Sequence, residues 1–210
     1  MTRLLVVTAV TAEADAIRAG ADPARVTVAP VGVGPAAAAA GTARLLALAE
    51  AAGTPYRAVI SAGIAGGFPC KAPLGATILG TRSIAADLGV EEPTGFRPIE
   101  TLGFGTSTLE ADAELLKSLI EALPAALQGE ILTLCTVTGT AETAATLTAR
   151  FPAALAEAME GYGVAAAAAQ AAVPFAEVRT ISNPIGPRDR SAWRLPEALA
   201  ALTKAAAALQ

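Results

Sequence analysis

Histidine is absent from this 210-residue chain, so any proton transfer must fall to Asp and Glu, with Lys, Tyr and Cys as weaker substitutes. The same absence removes the Ser-His-Asp triad and most zinc and copper sites, and no metal is expected. Three polar residues stand where chemistry is possible. Glu13 lies in the first turn of a helix that follows a buried strand. Glu160 opens a helix within Met159-Glu160-Gly161, in an almost uncharged neighbourhood. A carboxylate at a helix N-terminus is favoured by the helix dipole, so either acid reads as a capping charge. As a functional group, Glu160 reads as a bidentate acceptor for the two hydroxyls of a ribose. Asn183 ends a buried strand and enters the loop Pro184–Arg190. Its amide offers a donor and an acceptor in one plane, which suits the edge of a heterocycle; it is equally a turn asparagine before proline.

Two glycine segments accompany these residues. Val31-Gly-Val-Gly34 precedes a helix and resembles a phosphate cradle, but Ala37 stands where a third glycine belongs and no Walker lysine follows. It also reads as a tight strand–helix turn. Ser61-Ala-Gly-Ile-Ala-Gly-Gly67 follows a buried strand with small side chains throughout. Such a loop brings main-chain donors close to a ligand, or simply bends the chain.

The elements that must position these groups alternate along the chain. Strands are predicted over Arg3–Ala9, Arg25–Val31, Ala58–Ala62, Ala76–Arg82, Ile131–Val137, Ala153–Met159 and Phe175–Ser182. Helices are predicted over Thr11–Arg18, with Thr11 as N-cap, and over Ala36–Ala52, Leu109–Ala122, Ala141–Ala149, Glu160–Ala172 and Pro196–Leu209. This order predicts a single α/β domain over 1–210, with a central, mostly parallel mixed sheet flanked by helices. Ligands bind such sheets beyond the carboxyl ends of the strands. That rule selects Thr8–Glu13, Gly32–Pro35, Gly63–Phe68, Thr138–Thr140, Met159–Gly161 and Ser182–Arg190.

Composition narrows the function classes. Hydrophobic residues make up 53% and charged residues 16%, which supports a sizeable core. The net charge of −4, with basic residues scattered, argues against nucleic acid and anionic membranes and favours a small-molecule ligand. The alanine tract Val164–Val173 is too short to span a bilayer, and the N-terminal run lacks the marks of a signal peptide. Cys70 and Cys135 sit in apolar stretches and are expected to be reduced, buried thiols in a cytoplasm.

Six segments, in register, are similar to the nucleoside phosphorylase and nucleosidase superfamily, in its methylthioadenosine/S-adenosylhomocysteine nucleosidase branch. They are the first-strand segment ending in Glu13, Gly32–Gly34, Gly63–Gly67, Phe151-Pro152, Met159–Gly161 and Val178–Asn183. The resemblance implies a nucleoside phosphorylase-like fold in which Glu13 activates the attacking water. It implies that Glu160 holds ribose hydroxyls, with Met159 against the sugar, and that Thr138, Gly139, Thr140 and Phe151 line the base pocket. Gly63, Ile64 and Ser182 are carried over as further substrate-binding positions. Adenine-specific members have an aspartate at the position of Asn183, whereas phosphorylases of 6-oxopurines use an asparagine, so the expected base shifts toward hypoxanthine or guanine. Segments 157–165, 137–141 and 182–193 resemble futalosine hydrolases in particular. That resemblance implies release of hypoxanthine from futalosine on a route to menaquinone, with no cofactor, by a homo-oligomer such as a dimer or tetramer. Futalosine carries an aromatic carboxylate beyond the ribose 5′ carbon; Phe96, Arg97, Phe104, Arg188, Arg190 and Trp193 are candidates to meet it. A phosphorolytic enzyme of the same fold, and a nucleoside-binding module without catalysis, are the competing readings.

Overall fold

The computed structural model describes residues 2–209. Strand β1 (Leu4–Thr8) runs parallel to both β2 (Val26–Pro30) and β3 (Ala58–Gly67). Successive residues of β1 point to opposite faces, and each face has its own apolar layer. Leu4 and Val6 pack with Ile17 of α1 (Thr11–Gly20), Leu119 of α3 (Ala113–Ala122) and Leu202 of α6 (Leu195–Ala206). Leu5 and Val7 pack with Ala38 and Leu46 of α2 (Pro35–Ala51) and with Val164 and Ala168 of α5 (Gly161–Gln170). The alanine bias acts here. A Cβ on Gly163 would run into the backbone of Pro35, so α5 approaches the start of α2 more closely than larger side chains allow.

β3 reaches further than its apolar sequence. It continues through the glycine segment to Gly67 and pairs with three strands. Along most of its length it runs parallel to β10 (Phe175–Pro184), and its last residues, Gly66 and Gly67, pair antiparallel with β9 (Ala154–Ala158). From β10 the sheet continues through β4 (Thr77–Ala85) and β8 (Leu127–Thr133) back to β9, so five strands close on themselves. Ala65, Ile78, Ile131, Ala156 and Ile181 fill the interior of that ring. β7 (Thr108–Glu110) adds to the edge of β4, while β5 (Gly89–Glu92) and β6 (Gly95–Pro98) form a separate hairpin. The remaining helix, α4 (Ala141–Arg150), covers the outer side near Leu132 and Ile185.

The α/β reading and the strand assigned at Ala153–Met159 agree with the structure, but several details differ. The sheet is mixed: three of its eight strand pairings are antiparallel. Gly63–Gly67 is strand instead of loop, because Gly67 has only backbone where a side chain would strike Ala72 and Ile181. The strand expected at Ile131–Val137 lies at Leu127–Thr133, and the helix expected from Leu109 begins at Ala113, where Asp112 caps it by accepting from the Leu115 N–H. Thr11 is the first helical residue of α1 and not its N-cap. Cys70 and Cys135 are free and exposed, not buried, since both fall in turns just beyond strand ends. No helix among the described residues is long and apolar enough to cross a membrane.

Candidate active site

Arg179, which lies on β10 among apolar residues, is fully buried and organises the site. Its neighbours come from four elements. Nε donates to Glu177 Oε1 at 2.9 Å, Nη2 donates to Ser61 Oγ on β3 at 3.1 Å, and Nη1 stands 3.3 Å from Glu160 Oε2. Glu13 is the fourth, close enough to act on it electrostatically. Burial works against the charge on Arg179, but the carboxylates of Glu177, Glu160 and Glu13 outweigh it and hold its pKa above the ordinary value. For Glu177 burial wins: its carboxyl is pushed up, although Arg179 and the Ser83 hydroxyl pull it back.

Glu13 is held by main chain. Its Oε2 accepts from the N–H groups of Ala9 (3.0 Å) and Val10 (3.2 Å), closing the turn between β1 and α1, and its Oε1 accepts from the Ile64 N–H (2.9 Å). A carboxylate offers about four acceptor sites, so one on Oε1 is left for a further donor. Gly63 leaves the space above it open: a Cβ there would stand 2.5 Å from Glu13 Oε1 and 2.8 Å from Arg179 Nη1.

Glu160 sits at the start of α5 and is buried. Its Oε1 accepts from the Gly34 N–H at 3.2 Å, and its Oε2 from the Met159 N–H at 3.3 Å. Gly32 and Gly34, with φ of 103° and 88°, supply a left-handed turn that aims this N–H at the acid. The cradle-like segment therefore meets the carboxylate of Glu160 in place of a phosphate. Glu13, Gly63, Ile64, Met159 and Glu160 are thus brought together around Arg179.

Asn183 belongs to a second cluster. A bulge at Ser182 advances β10 by one residue, so that Asn183 stands opposite Gly66. Its Oδ1 lies 2.9 Å from Ser182 Oγ, while its Nδ2 donates to the Pro184 carbonyl at 3.0 Å. Nearby, Thr138 donates through both its N–H and its hydroxyl to the buried Glu157. Phe151 packs half-buried with Ile185. Gly139 is exposed, with open space where a side chain would begin.

The residues proposed for a distal carboxylate are spread over two places. Phe96 and Phe151 flank Arg150, whose guanidinium lies 4.0 Å and 4.9 Å from their ring centres, beside a cavity of about 410 Å³. Arg97 is turned away to Glu92, and Phe104 is exposed. Arg188 and Arg190 lie over Trp193 on the loop that follows Asn183. Arg150 was missed by sequence reasoning, as were Arg179, Glu177 and Glu157. The signal for the last three was a charge inside an apolar strand, Leu155-Ala-Glu-Ala and Ala176-Glu-Val-Arg-Thr. Among the described residues no cluster of acids, cysteines or histidines suited to a metal is found.

Residues 11–210 match the profile of the phosphorylase superfamily. The chain is 55% identical over 83% of its length to a futalosine hydrolase from Streptomyces coelicolor, covering 74% of that protein. It is 43% identical over 98% of its length to a futalosine hydrolase from Acidothermus cellulolyticus, covering 89% of it. Two solved structures share the fold. A methylthioadenosine/S-adenosylhomocysteine nucleosidase from Neisseria meningitidis aligns with a TM-score of 0.83 at 21% identity, over 100% of this chain and 98% of that one. A futalosine hydrolase from Helicobacter pylori aligns with a TM-score of 0.81 at 18% identity, over 99% and 97%. The chain belongs to the phosphorylase superfamily and, within it, to the futalosine hydrolase family.

Proposed function

We propose that this chain hydrolyses the N-glycosidic bond of futalosine, releasing hypoxanthine and dehypoxanthinyl futalosine on a route to menaquinone. The observation that carries the reading is the pair of buried carboxylates, Glu13 and Glu160, set on either side of Arg179 with acceptor sites left over. As the bond to the base stretches, the sugar gains cationic character and the base gains negative charge. Glu13, immobilised by three N–H donors, takes a proton from water through its remaining site on Oε1. Glu160 accepts from the ribose hydroxyls and adds negative field beside the cationic sugar. Arg179, fully buried, holds Glu160 directly and lends positive charge to Glu13 as well. Asn183 holds the departing base: its Oδ1 accepts from Ser182, one hydrogen of its NH₂ goes to the Pro184 carbonyl, and the other serves the base as a donor.

Water is the nucleophile in this reading because a phosphate anion would meet Glu160 at the Gly34 turn and no free arginine. Homologues of known name and the 6-oxopurine logic of Asn183 support futalosine over a 6-amino nucleoside. The protein works as a homo-oligomer in the cytoplasm, a reading supported by its exposed Val33, Val137 and Phe104 and by two exposed free thiols. The test is to incubate the protein with futalosine, inosine and methylthioadenosine, with and without phosphate, and to identify the freed base by chromatography. Hypoxanthine from futalosine at a rate independent of phosphate is expected. Faster adenine release, or a requirement for phosphate, would overturn the reading.

A further inference from the structure

Four glutamates are buried among the described residues: Glu13, Glu157, Glu160 and Glu177. Three of them gather on Arg179. Glu157 does not, and the mechanism above leaves it unused. Its hydrogen bonds come from the Thr138 N–H (2.7 Å) and the Thr138 hydroxyl, and neither donor carries charge. A buried acid without a cation is costly to a fold, and such groups concentrate at functional sites.

Its position says what it faces. On β9 Glu157 stands opposite Gly66 of β3, and on the other side of β3 Asn183 stands opposite the same Gly66. Residues directly opposite on neighbouring strands project from the same face of a sheet. Glu157 and Asn183 therefore flank Gly66 on one face, with Cα atoms two strand spacings, about 10 Å, apart. Gly66 contributes no side chain between them. A Cβ there would stand 2.7 Å from Ile185 Cγ2 and 3.5 Å from Asn183 Nδ2, so an apolar wall and an amide already border that space. Phe151 packs against the same cluster as Ile185. An acid at one end, an amide at the other and apolar faces between them suit a flat heterocycle with polar groups on two edges.

We propose that Glu157 is a specificity-determining residue that accepts the N1–H of a 6-oxopurine whose O6 and N7 edge is held by Asn183. The inference rests on the reading that the substrate is a purine nucleoside. A 6-oxopurine has a proton on N1 and an acceptor at O6, which match a carboxylate and an amide NH₂. A 6-aminopurine reverses both: its N1 lone pair faces the carboxylate and its amino group faces the amide NH₂. Thr138 occupies two of the roughly four acceptor sites on the carboxylate, so the N1–H has a site to use. Burial pushes the Glu157 carboxyl up, against the Thr138 bonds that pull it down. The N1–H is one more donor to stabilise the charge.

The test is kcat/KM for futalosine and for its 6-amino counterpart with wild type, Glu157→Gln and Glu157→Val. Glutamine keeps an acceptor for the Thr138 N–H, and its NH₂ can serve the N1 of a 6-aminopurine. Glu157→Gln should lower the preference for the 6-oxo substrate by about tenfold or more, as expected for one mispaired buried polar group. The change should come partly through a gain with the 6-amino compound, which a structural prop for Thr138 would not produce. Glu157→Val should lose rate with futalosine mainly through KM. Calorimetric titration with free hypoxanthine, 1-methylhypoxanthine and adenine separates this inference from the choice of futalosine. Wild type should bind hypoxanthine and reject the other two, and Glu157→Gln should narrow the gap whether or not futalosine is cleaved. An unchanged preference in the Gln variant, equal loss with both substrates, or equal binding of hypoxanthine and 1-methylhypoxanthine would overturn the proposal. Release of some base other than hypoxanthine, with the titration pattern intact, would overturn only the choice of futalosine.

Discussion

Arg179 Nη1 stands 3.3 Å from Glu160 Oε2, and the two side chains are 1% and 7% exposed. The pair is part of a cluster in which one cation serves three acids, so its removal acts on all of them. Arg179→Met should leave Glu13, Glu160 and Glu177 uncompensated and lower stability by about 3–5 kcal/mol, the usual cost of breaking a buried ion pair. Arg179→Lys keeps a charge without the fork and should lose less stability while still losing turnover. Urea unfolding of both variants checks this. A loss below about 1 kcal/mol for Arg179→Met would mean that the acids do not depend on it.

Glu13 is positioned by the main-chain N–H groups of Ala9, Val10 and Ile64. Glu13→Gln keeps the Ala9 and Val10 bonds on its oxygen, sets its NH₂ against the Ile64 N–H, and should lower kcat by roughly 10²–10⁴-fold, the range of general-base assistance. Substrate affinity should change little. Single-turnover rates and equilibrium binding of futalosine measure the two effects separately, and near-normal turnover would remove Glu13 from the mechanism.

The parts of the site that were legible in the sequence are those set by local chain. Glu13 and Glu160 begin helices after buried strands, and Asn183 ends one, so strand-end logic located them. Arg179 and Glu157 lie within strands, where periodicity predicts burial and says nothing about which distant strand supplies a partner. Closure of the sheet through β3, β9 and β10 depends on pairings between residues distant in the chain, such as Asn183 and Glu157 with Gly66, and on a bulge at Ser182. No local pattern encodes either. The cysteines misled for a related reason: their neighbours are apolar, but the backbone turns at Cys70, with φ of 62°, and carries the thiol outward.

Gly63 is required by what lies above it more than by its own backbone. Alanine there places a methyl group 2.5 Å from Glu13 Oε1, a separation at which the carboxylate must move. Since Glu13 is tied to the Ile64 N–H next in the chain, Gly63→Ala should disturb catalysis out of proportion to its size. We expect a loss in kcat of about a hundredfold, in line with sub-ångström misplacement of a reacting group, and destabilisation of roughly 1–3 kcal/mol from overpacking. Steady-state kinetics beside a thermal melt checks both, and a fully active variant would show that Glu13 has room to shift.

The last prediction follows from the unpaired charge on Glu157. Burial pushes its carboxyl above the ordinary glutamate value of about 4.3, with the two Thr138 bonds opposing. A folded pKa above the unfolded one means that the folded state binds the proton more tightly. The stability from this group is fully present below about pH 4.3 and is lost as pH rises through the folded pKa. As pH rises through the folded pKa, wild type comes to carry a buried carboxylate held only by the two neutral donors of Thr138, whereas Glu157→Gln carries a neutral amide that still meets Thr138. The variant should be more stable than wild type by roughly 1–2 kcal/mol at pH 7–8, the scale of an imperfectly satisfied buried group, and the difference should shrink toward zero near pH 4. Urea unfolding of both proteins across that range isolates the group, since other titrations cancel in the difference. A variant more stable at neutral pH yet less selective between 6-oxo and 6-amino substrates places recognition and stability in opposition at this residue. A variant less stable at every pH would instead make the carboxylate a structural support for the Thr138 loop.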